Sequence, residues 1–217
     1  MADKRLNDLL RWSVENSDVP HNDPSLAAPS QPSSSHLTPE LMAALMGGPS
    51  DADLMKASME IITSPDSEVT LENKLIAFDN LEQLIESLDN ANNIGNLGLW
   101  TPLLEQLTHQ EAEVRKMAAW CIGTAVQNNQ QTQERLYAMG GVPALVGMAT
   151  RQEEKEDVRK KAIYALSSAC RNYQPAMDVC VEELSKNGHD ADKVDARDME
   201  AVDVIINVLR DKVKNSG

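Results

Sequence analysis

Histidine and cysteine are the side chains best able to ligate a metal or attack an electrophile, and their spacing here supports neither chemistry. His21, His36, His109 and His189 are scattered, with no HExxH and no Cys pair at metal-ligand spacing. Of the three cysteines, Cys121 and Cys170 fall inside apolar helical patterns, where a thiol packs as a small hydrophobe, and no histidine accompanies Cys121 in the pattern. There is no GxxxxGK[ST] or GxGxxG to cradle a phosphate and no GxSxG nucleophile elbow. Carboxylates are abundant, but on helices their common task is to solvate an outer face, and nothing marks a general acid and base pair. The residues call for no enzyme, no metal and no cofactor.

What the chain offers instead is surface. Its 217 residues are 41% hydrophobic and 25% charged, enough for one sizeable core with or without a tail. Acidic side chains number 34 against 20 basic ones, a formal charge of -14 that repels nucleic acid and anionic membrane surfaces. Aromatic residues make up only 3%, and strand formers are sparse beside Leu, Ala, Met, Glu and Gln, so an all-α fold is expected. The first residues carry no apolar run of signal-peptide length, and no stretch of about 18 apolar residues occurs. With an odd number of cysteines, these features predict a cytoplasmic protein.

The helices that must position any contact residue begin after an arm. Residues 17–39 hold half of the ten prolines and six serines, too little apolar surface to offset ordering entropy, and predict a disordered spacer. Short apolar clusters flank it: Leu6, Leu9, Leu10 and Trp12 before, and Leu41, Met42, Leu45 and Met46 after, the second started by Thr38-Pro39 and ended by Gly47-Gly48-Pro49. Residues 1–49 are thus expected as a flexible N-terminal arm and 50–217 as the folded domain.

From Asp51 on, self-comparison is informative. Pro102 and Leu104 recur as Pro143 and Leu145, 41 residues later, and Val114, Arg115, Ala118, Ile122, Ala125 and Asn128 recur as Val158, Arg159, Ala162, Leu166, Ala169 and Asn172, 44 later. Lys74, Ala77, Leu81 and Leu84 supply a third copy upstream. A period near 40 with two or three helices per unit predicts an armadillo-like helical repeat solenoid, because one unit cannot bury its apolar face alone. Repeats are expected at about 54–97, 98–139 and 140–180. A capping box at Thr108 to Glu111, an acidic loop from Lys186 to Arg197 and a closing helix over about 198–213 complete the layout.

In such a stack the last helix of each unit lines the groove, so its unpacked polar residues are the contact candidates: Glu86, Asp89 and Asn90, then Gln127, Asn128 and Asn129, then Arg171 and Asn172. The asparagines have two readings, bonds to neighbouring backbone that hold the register, or adaptable contacts to a partner. Arg115 and Arg159 read as intramolecular partners of the preceding acids, and Trp100 and Trp120 as core.

Three segments carry a resemblance: Leu75-Ile76-Ala77-Phe78-Asp79-Asn80-Leu81 with Leu84 to Asn93, Ile122 to Asn129, and Arg159 to Ser167, together with Leu9-Leu10-Arg11-Trp12-Ser13. With LDNANN and IGTAVQNN as its specific motifs, the chain resembles the Fes/HspBP family of armadillo-type nucleotide exchange factors in a fungal cytosolic form. The resemblance implies binding to the ATPase domain of the seventy-kilodalton heat-shock chaperone and distortion of one lobe, so that ADP leaves, ATP enters and the client is released. It places the chaperone against Asn90, Ala91 and Asn92, with the small Ala91 permitting close approach at the groove surface. It also implies that the arm, through Leu9, Leu10, Trp12, Leu41 and Leu45, imitates a client and contacts the chaperone's client-binding domain.

One departure stands out. Longer relatives carry a further clear repeat, whereas the region after Asn172 reads as an acidic insertion and a single helix. A competing function is an armadillo-type adaptor that holds a peptide in its groove. Import-receptor grooves of that kind repeat Trp and Asn pairs, and Trp120 is not repeated at Tyr164. The acidic, closed stack suits a monomer.

Overall fold

The computed structural model describes residues 48–215, and all regular structure among them is helical. The arm residues Leu9, Leu10, Trp12, Leu41 and Leu45 lie outside the described residues. The helices are α1 (Asp51–Thr63), α2 (Leu71–Ile85), α3 (Leu88–Asn96), α4 (Trp100–Glu105), α5 (Ala112–Ala125), α6 (Gln130–Ala138), α7 (Gly141–Thr150), α8 (Glu156–Cys170), α9 (Gln174–Lys186) and α10 (Met199–Lys214), with a 3-10 turn at Gln106–Thr108 after α4. No described helix is long and apolar enough to cross a membrane.

Local chemistry sets the boundaries. Ser50 accepts from the Asp53 amide at 3.2 Å to start α1, and Asp198 accepts from Ala201 at 3.1 Å to start α10. Thr70 and Asn73 form a reciprocal capping box on α2. The expected box at Thr108 does not form: the Thr108 hydroxyl donates to the Glu105 carbonyl, and the Glu111 amide donates instead to His109 Nδ1 at 3.0 Å. Gly98 and Gly140, with φ of 70° and 72°, stand in the turns before α4 and α7, where a Cβ would be strained.

The helices stack in register. α2 packs on α5, α5 on α8, and α8 on α10, so the long helices form one continuous layer. α1 covers α2, α7 covers α8, and the short helices α3 and α6 pack on each other beside them. One core runs through these layers, from Met55, Phe78 and Leu81 through Ile122 and Leu145 to Leu166 and Ile206. Each fully buried large side chain contributes about 1.5–3 kcal/mol, and because every layer buries its neighbour's apolar face the contributions depend on stacking.

The region after Asn172 contains two helices, not the single helix expected from sequence. Pro175 sits in the first turn of α9, whose Ala176, Met177, Cys180, Val181 and Leu184 join the core. α10 follows the loop and buries Val202, Ile205, Ile206 and Leu209.

Candidate functional site

α5 and α8 are buried on most sides, which makes their accessible positions informative. Beyond the first turn of α5, which ends at Arg115, these are Lys116, Trp120 and Thr124, with Gln127 in the turn that follows, a spacing that keeps all four on one side of the helix. α2 contributes Glu82 beside them, Glu86 caps the C-terminal end of α2, and α8 contributes Lys161 and Tyr164. Trp120 is therefore half-buried rather than core: Lys161 Nζ lies 3.6 Å above its ring, while Trp100 is the buried one. Burial, only partly offset by the charge of Glu82, holds the Lys161 amine below its ordinary range.

A cleft of about 350 Å³ opens across α2, α5 and α8, lined by Glu82, Glu86, Thr124, Gln127, Asn128 and Tyr164. Thr124 Oγ1 donates to Glu82 Oε1 at 2.7 Å, and the Tyr164 hydroxyl donates to Gln127 Oε1 at 3.1 Å. The Tyr164 ring lies so close to α5 that only glycine fits at 123, where a Cβ would meet the ring at 2.5 Å.

The residues expected to contact a partner divide into groups. Glu86, Gln127 and Asn128 line this cleft. Asp89, Asn90 and Asn92 sit on short helix α3, not on a long helix; Asp89 is exposed, whereas Asn90 Nδ2 donates to Asp51 at 2.8 Å and to the Leu84 carbonyl at 3.0 Å. Asn129 is buried and donates to Asn92 Oδ1 at 3.0 Å, which ties the α2–α3 edge to the α5–α6 edge. Arg171 bonds Ser167 at 3.1 Å and pairs with Asp203 on α10. Asn172 is exposed at its side chain, and its amide donates to the Ala196 carbonyl at 2.8 Å.

Asn128 and Asn172 share a backbone role, with φ of 53° and 60° in the left-handed region that asparagine tolerates better than other side chains. The expectation for Ala91 does not hold: it is 2% exposed, on the inward side of α3 with Ile94, because the apolar positions of so short a helix must face the core. Arg115 pairs with Glu154 on the next unit rather than with the acids before it, and buried Arg159 donates to the Ala149 carbonyl.

Sequence reasoning missed Glu82, Thr124, Lys161 and Tyr164. The four-residue spacing of Lys116, Trp120 and Thr124 was a usable signal for the accessible stripe. Nothing in the sequence marks Glu82, which is 6% exposed and accepts from Thr124 of α5. Two cysteines also lack reactive character, because burial pushes the Cys121 thiol up, and Cys170 is raised by its hydrogen bond with Cys180 and by burial.

A family model described as nucleotide exchange factor Fes1 matches residues 6–94, and the SIL1/FES1/HPBP1 C-terminal domain matches residues 90–185. The Hsp70 nucleotide exchange factor FES1 of Gibberella zeae is 69% identical over 214 residues, covering 98% of this chain and 99% of that protein. The chain belongs to the Fes1 family of Hsp70 nucleotide exchange factors. This Fes1 family is one of co-chaperones rather than enzymes. Hsp70 nucleotide exchange factor fes-1 of Neurospora crassa is 52% identical over 99% of this chain and 100% of its own length. FES1 of Saccharomyces cerevisiae is 44% identical over 84% of this chain but only 60% of its own length, so some Fes1 relatives are longer. A solved crystal structure of an engineered protein matches the fold with a TM-score of 0.53 at 22% identity, over 81% of this chain and 71% of that one.

Proposed function

We propose that this Fes1-family chain binds the ATPase domain of cytosolic Hsp70 through the face formed by α2, α5 and α8, accelerates ADP release and so promotes client release. The observation that carries the reading is the accessible stripe from Lys116 to Gln127 along α5, a helix otherwise buried beyond its first turn, with the cleft beside it, in a chain of an exchange-factor family. No catalytic group is required. A partner that binds the open form of the ATPase domain more tightly than the closed form shifts the equilibrium by that difference in affinity.

Exposed polar groups at this face and its edge, Glu86, Asp89, Gln127, Asn128 and Asn172, are the proposed contacts, joined by the half-buried Asn92 and Arg171. Asn90 and Asn129 act through the edge they hold, and Ala91 through packing. The arm, by Leu9, Leu10, Trp12, Leu41 and Leu45, is proposed to compete with client at Hsp70's client-binding domain. The cytoplasm is the proposed compartment and a monomer the proposed state, since a formal charge of -14 opposes self-association.

Stopped-flow release of a fluorescent ADP analogue from Hsp70, with and without the chain, tests the reading. Acceleration that saturates with added chain is expected. Release unchanged at saturating chain would leave a repeat adaptor without exchange activity. Deleting residues 1–36 is expected to slow client release while exchange persists, and equal client release would remove the role of the arm.

A further inference from the structure

Every hydroxyl proton in the α2, α5 and α8 cleft is already used within the chain. Thr124 donates to Glu82 Oε1, and Tyr164 donates to Gln127 Oε1. Besides the exposed amides of Gln127 and Asn128, the cleft presents carboxylate acceptor capacity. Glu82 is only 6% exposed, its one hydrogen-bond donor is Thr124, and its second oxygen, Oε2, bonds nothing among the described residues. Yet no fully buried side-chain oxygen there lacks a partner, so Oε2 reaches solvent, and it does so through the cleft that Glu82 lines. Glu86, one helical turn on, is exposed and has no ion pair among the described residues.

Lys161 is near enough for its charge and that of Glu82 to interact, but it lies over the Trp120 ring at 3.6 Å and farther, at 5.7 Å, from the Tyr164 ring, and neither an ion pair nor a hydrogen bond joins it to Glu82. A carboxylate this little exposed gains from a charge-assisted donor, and the one donor it has, the Thr124 hydroxyl, is neutral. Two carboxylates at i and i+4, about 5–6 Å apart at Cβ, beside the Tyr164 ring, present a pair of acceptors next to an aromatic surface. A planar guanidinium can bond both acceptors and stack on the ring, whereas an ammonium is a point charge that does only the first.

We infer that the cleft between Glu82, Glu86 and Tyr164 is the seat of one arginine side chain of the Hsp70 ATPase domain, an assignment that rests on the proposed exchange function. Its volume of about 350 Å³ accommodates such a side chain. The seat spans three successive long helices, so one inserted side chain would engage three repeats at once.

Binding of the full chain to the isolated Hsp70 ATPase domain, by calorimetry, and release of the ADP analogue provide the test. Glu82→Gln and Glu86→Gln are each expected to weaken binding about tenfold or more, the usual consequence of removing one member of a desolvated charge pair. Glu60→Gln, an exposed acid on α1 outside the cleft, removes the same charge and is expected to change binding by less than about twofold. Alanine replacement of each surface arginine of the ATPase domain is then expected to find one whose loss matches that of Glu86→Gln and adds nothing to it. Should Glu82→Gln fail to fold, the exposed Glu86→Gln carries the comparison.

Wild-type exchange with Glu86→Gln behaving like Glu60→Gln overturns the arginine seat and leaves the exchange function standing. A lysine emerging from the scan, with no arginine coupled to Glu86, also overturns it. Wild-type chain that neither binds the ATPase domain nor speeds ADP release overturns both.

Discussion

Arg115 and Glu154 face each other across two repeats, 39 residues apart in sequence, with Nε to Oε2 and Nη2 to Oε1 both at 2.7 Å. The third arm of the guanidinium, Nη1, donates to the carbonyls of His109 and Gln110 at 2.6 and 2.8 Å. One side chain thereby clamps the loop before α5 to the loop before α8. The Glu154 side chain is 2% exposed, so its charge depends on this fork and on the Lys155 amide. Arg115→Ala is expected to cost about 3 kcal/mol in urea denaturation, because it leaves a buried carboxylate unpaired. Arg115→Lys recovers only part of that, since an ammonium cannot reproduce the fork. A loss below about 0.5 kcal/mol for Arg115→Ala would show the pair to be ornamental.

The same pair predicts an acid limb in stability. Burial raises the Glu154 carboxyl, but the Arg115 hydrogen bond, the Lys155 amide and the charges of Arg115 and Arg151 outweigh it and hold the group below its ordinary value of 4.5. The Asp157 carboxyl, paired with Lys116, is likewise held below 3.8. A depressed folded-state value means that the unfolded chain takes up the proton first as pH falls. The contribution of Glu154 is therefore complete above about pH 4.5 and is lost as pH drops through its folded value. Denaturation midpoints measured from pH 7 to 3 should fall along this limb, and Arg115→Ala should flatten it. A limb of equal steepness in the variant would place the titration elsewhere.

Gly123 predicts how tightly α5 and α8 must approach. An added Cβ would stand 2.6 Å from Tyr164 Cδ1 and 3.0 Å from the Ala165 Cα. The second contact is backbone, so rotating the Tyr164 ring does not relieve it and the helices must part. Gly123→Ala is expected to destabilise by about 1–3 kcal/mol despite the better helix propensity of alanine. Adding Tyr164→Ala should restore part of the loss, a coupling that a thermodynamic cycle measures. Strict additivity would mean that the ring is not the obstacle.

These contacts explain what the sequence could and could not disclose. The repeat was legible because buried positions recur at fixed offsets: Ala77, Ala118 and Ala162 all pack in the layer of long helices. α9 was obscured by the acidic loop that follows it, although its own core residues from Ala176 to Leu184 continue the stack. The cleft was only half legible. Gln127 and Asn128 stand out as polar residues after an apolar helix, but Glu82 and Tyr164 come from helices 40 or so residues away, and their meeting depends on how closely the layers approach at Gly123. Ala91 misled because smallness suits a buried position as well as an exposed one.

Asn128 and Asn172 provide a test of backbone against contact. Both have positive φ at the exit of a long helix. Asn→Gly at either position should leave stability within about 0.5 kcal/mol, while Asn→Ala should cost about 1 kcal/mol through the left-handed penalty. Chaperone binding separates the roles. If Asn128→Gly folds normally but binds more weakly, the side chain is a contact as well as a hinge; if it binds as wild type does, the backbone role is the whole of it.

Ala91→Arg is the variant for which folding and binding are easiest to confuse. Its position is 2% exposed and packed beside Ile94 on a nine-residue helix, so an arginine there has neither space nor a partner for its charge. The expected cost is about 3 kcal/mol or more, seen as a lower melting temperature. Loss of exchange in this variant would therefore accompany a damaged α3 edge, the edge that Asn92 and Asn129 hold to the next repeat. Calorimetric melting beside the exchange assay decides the matter. A variant that melts like wild type yet fails to bind Hsp70 would put Ala91 at the contact surface after all; one that melts early attributes the lost binding to packing.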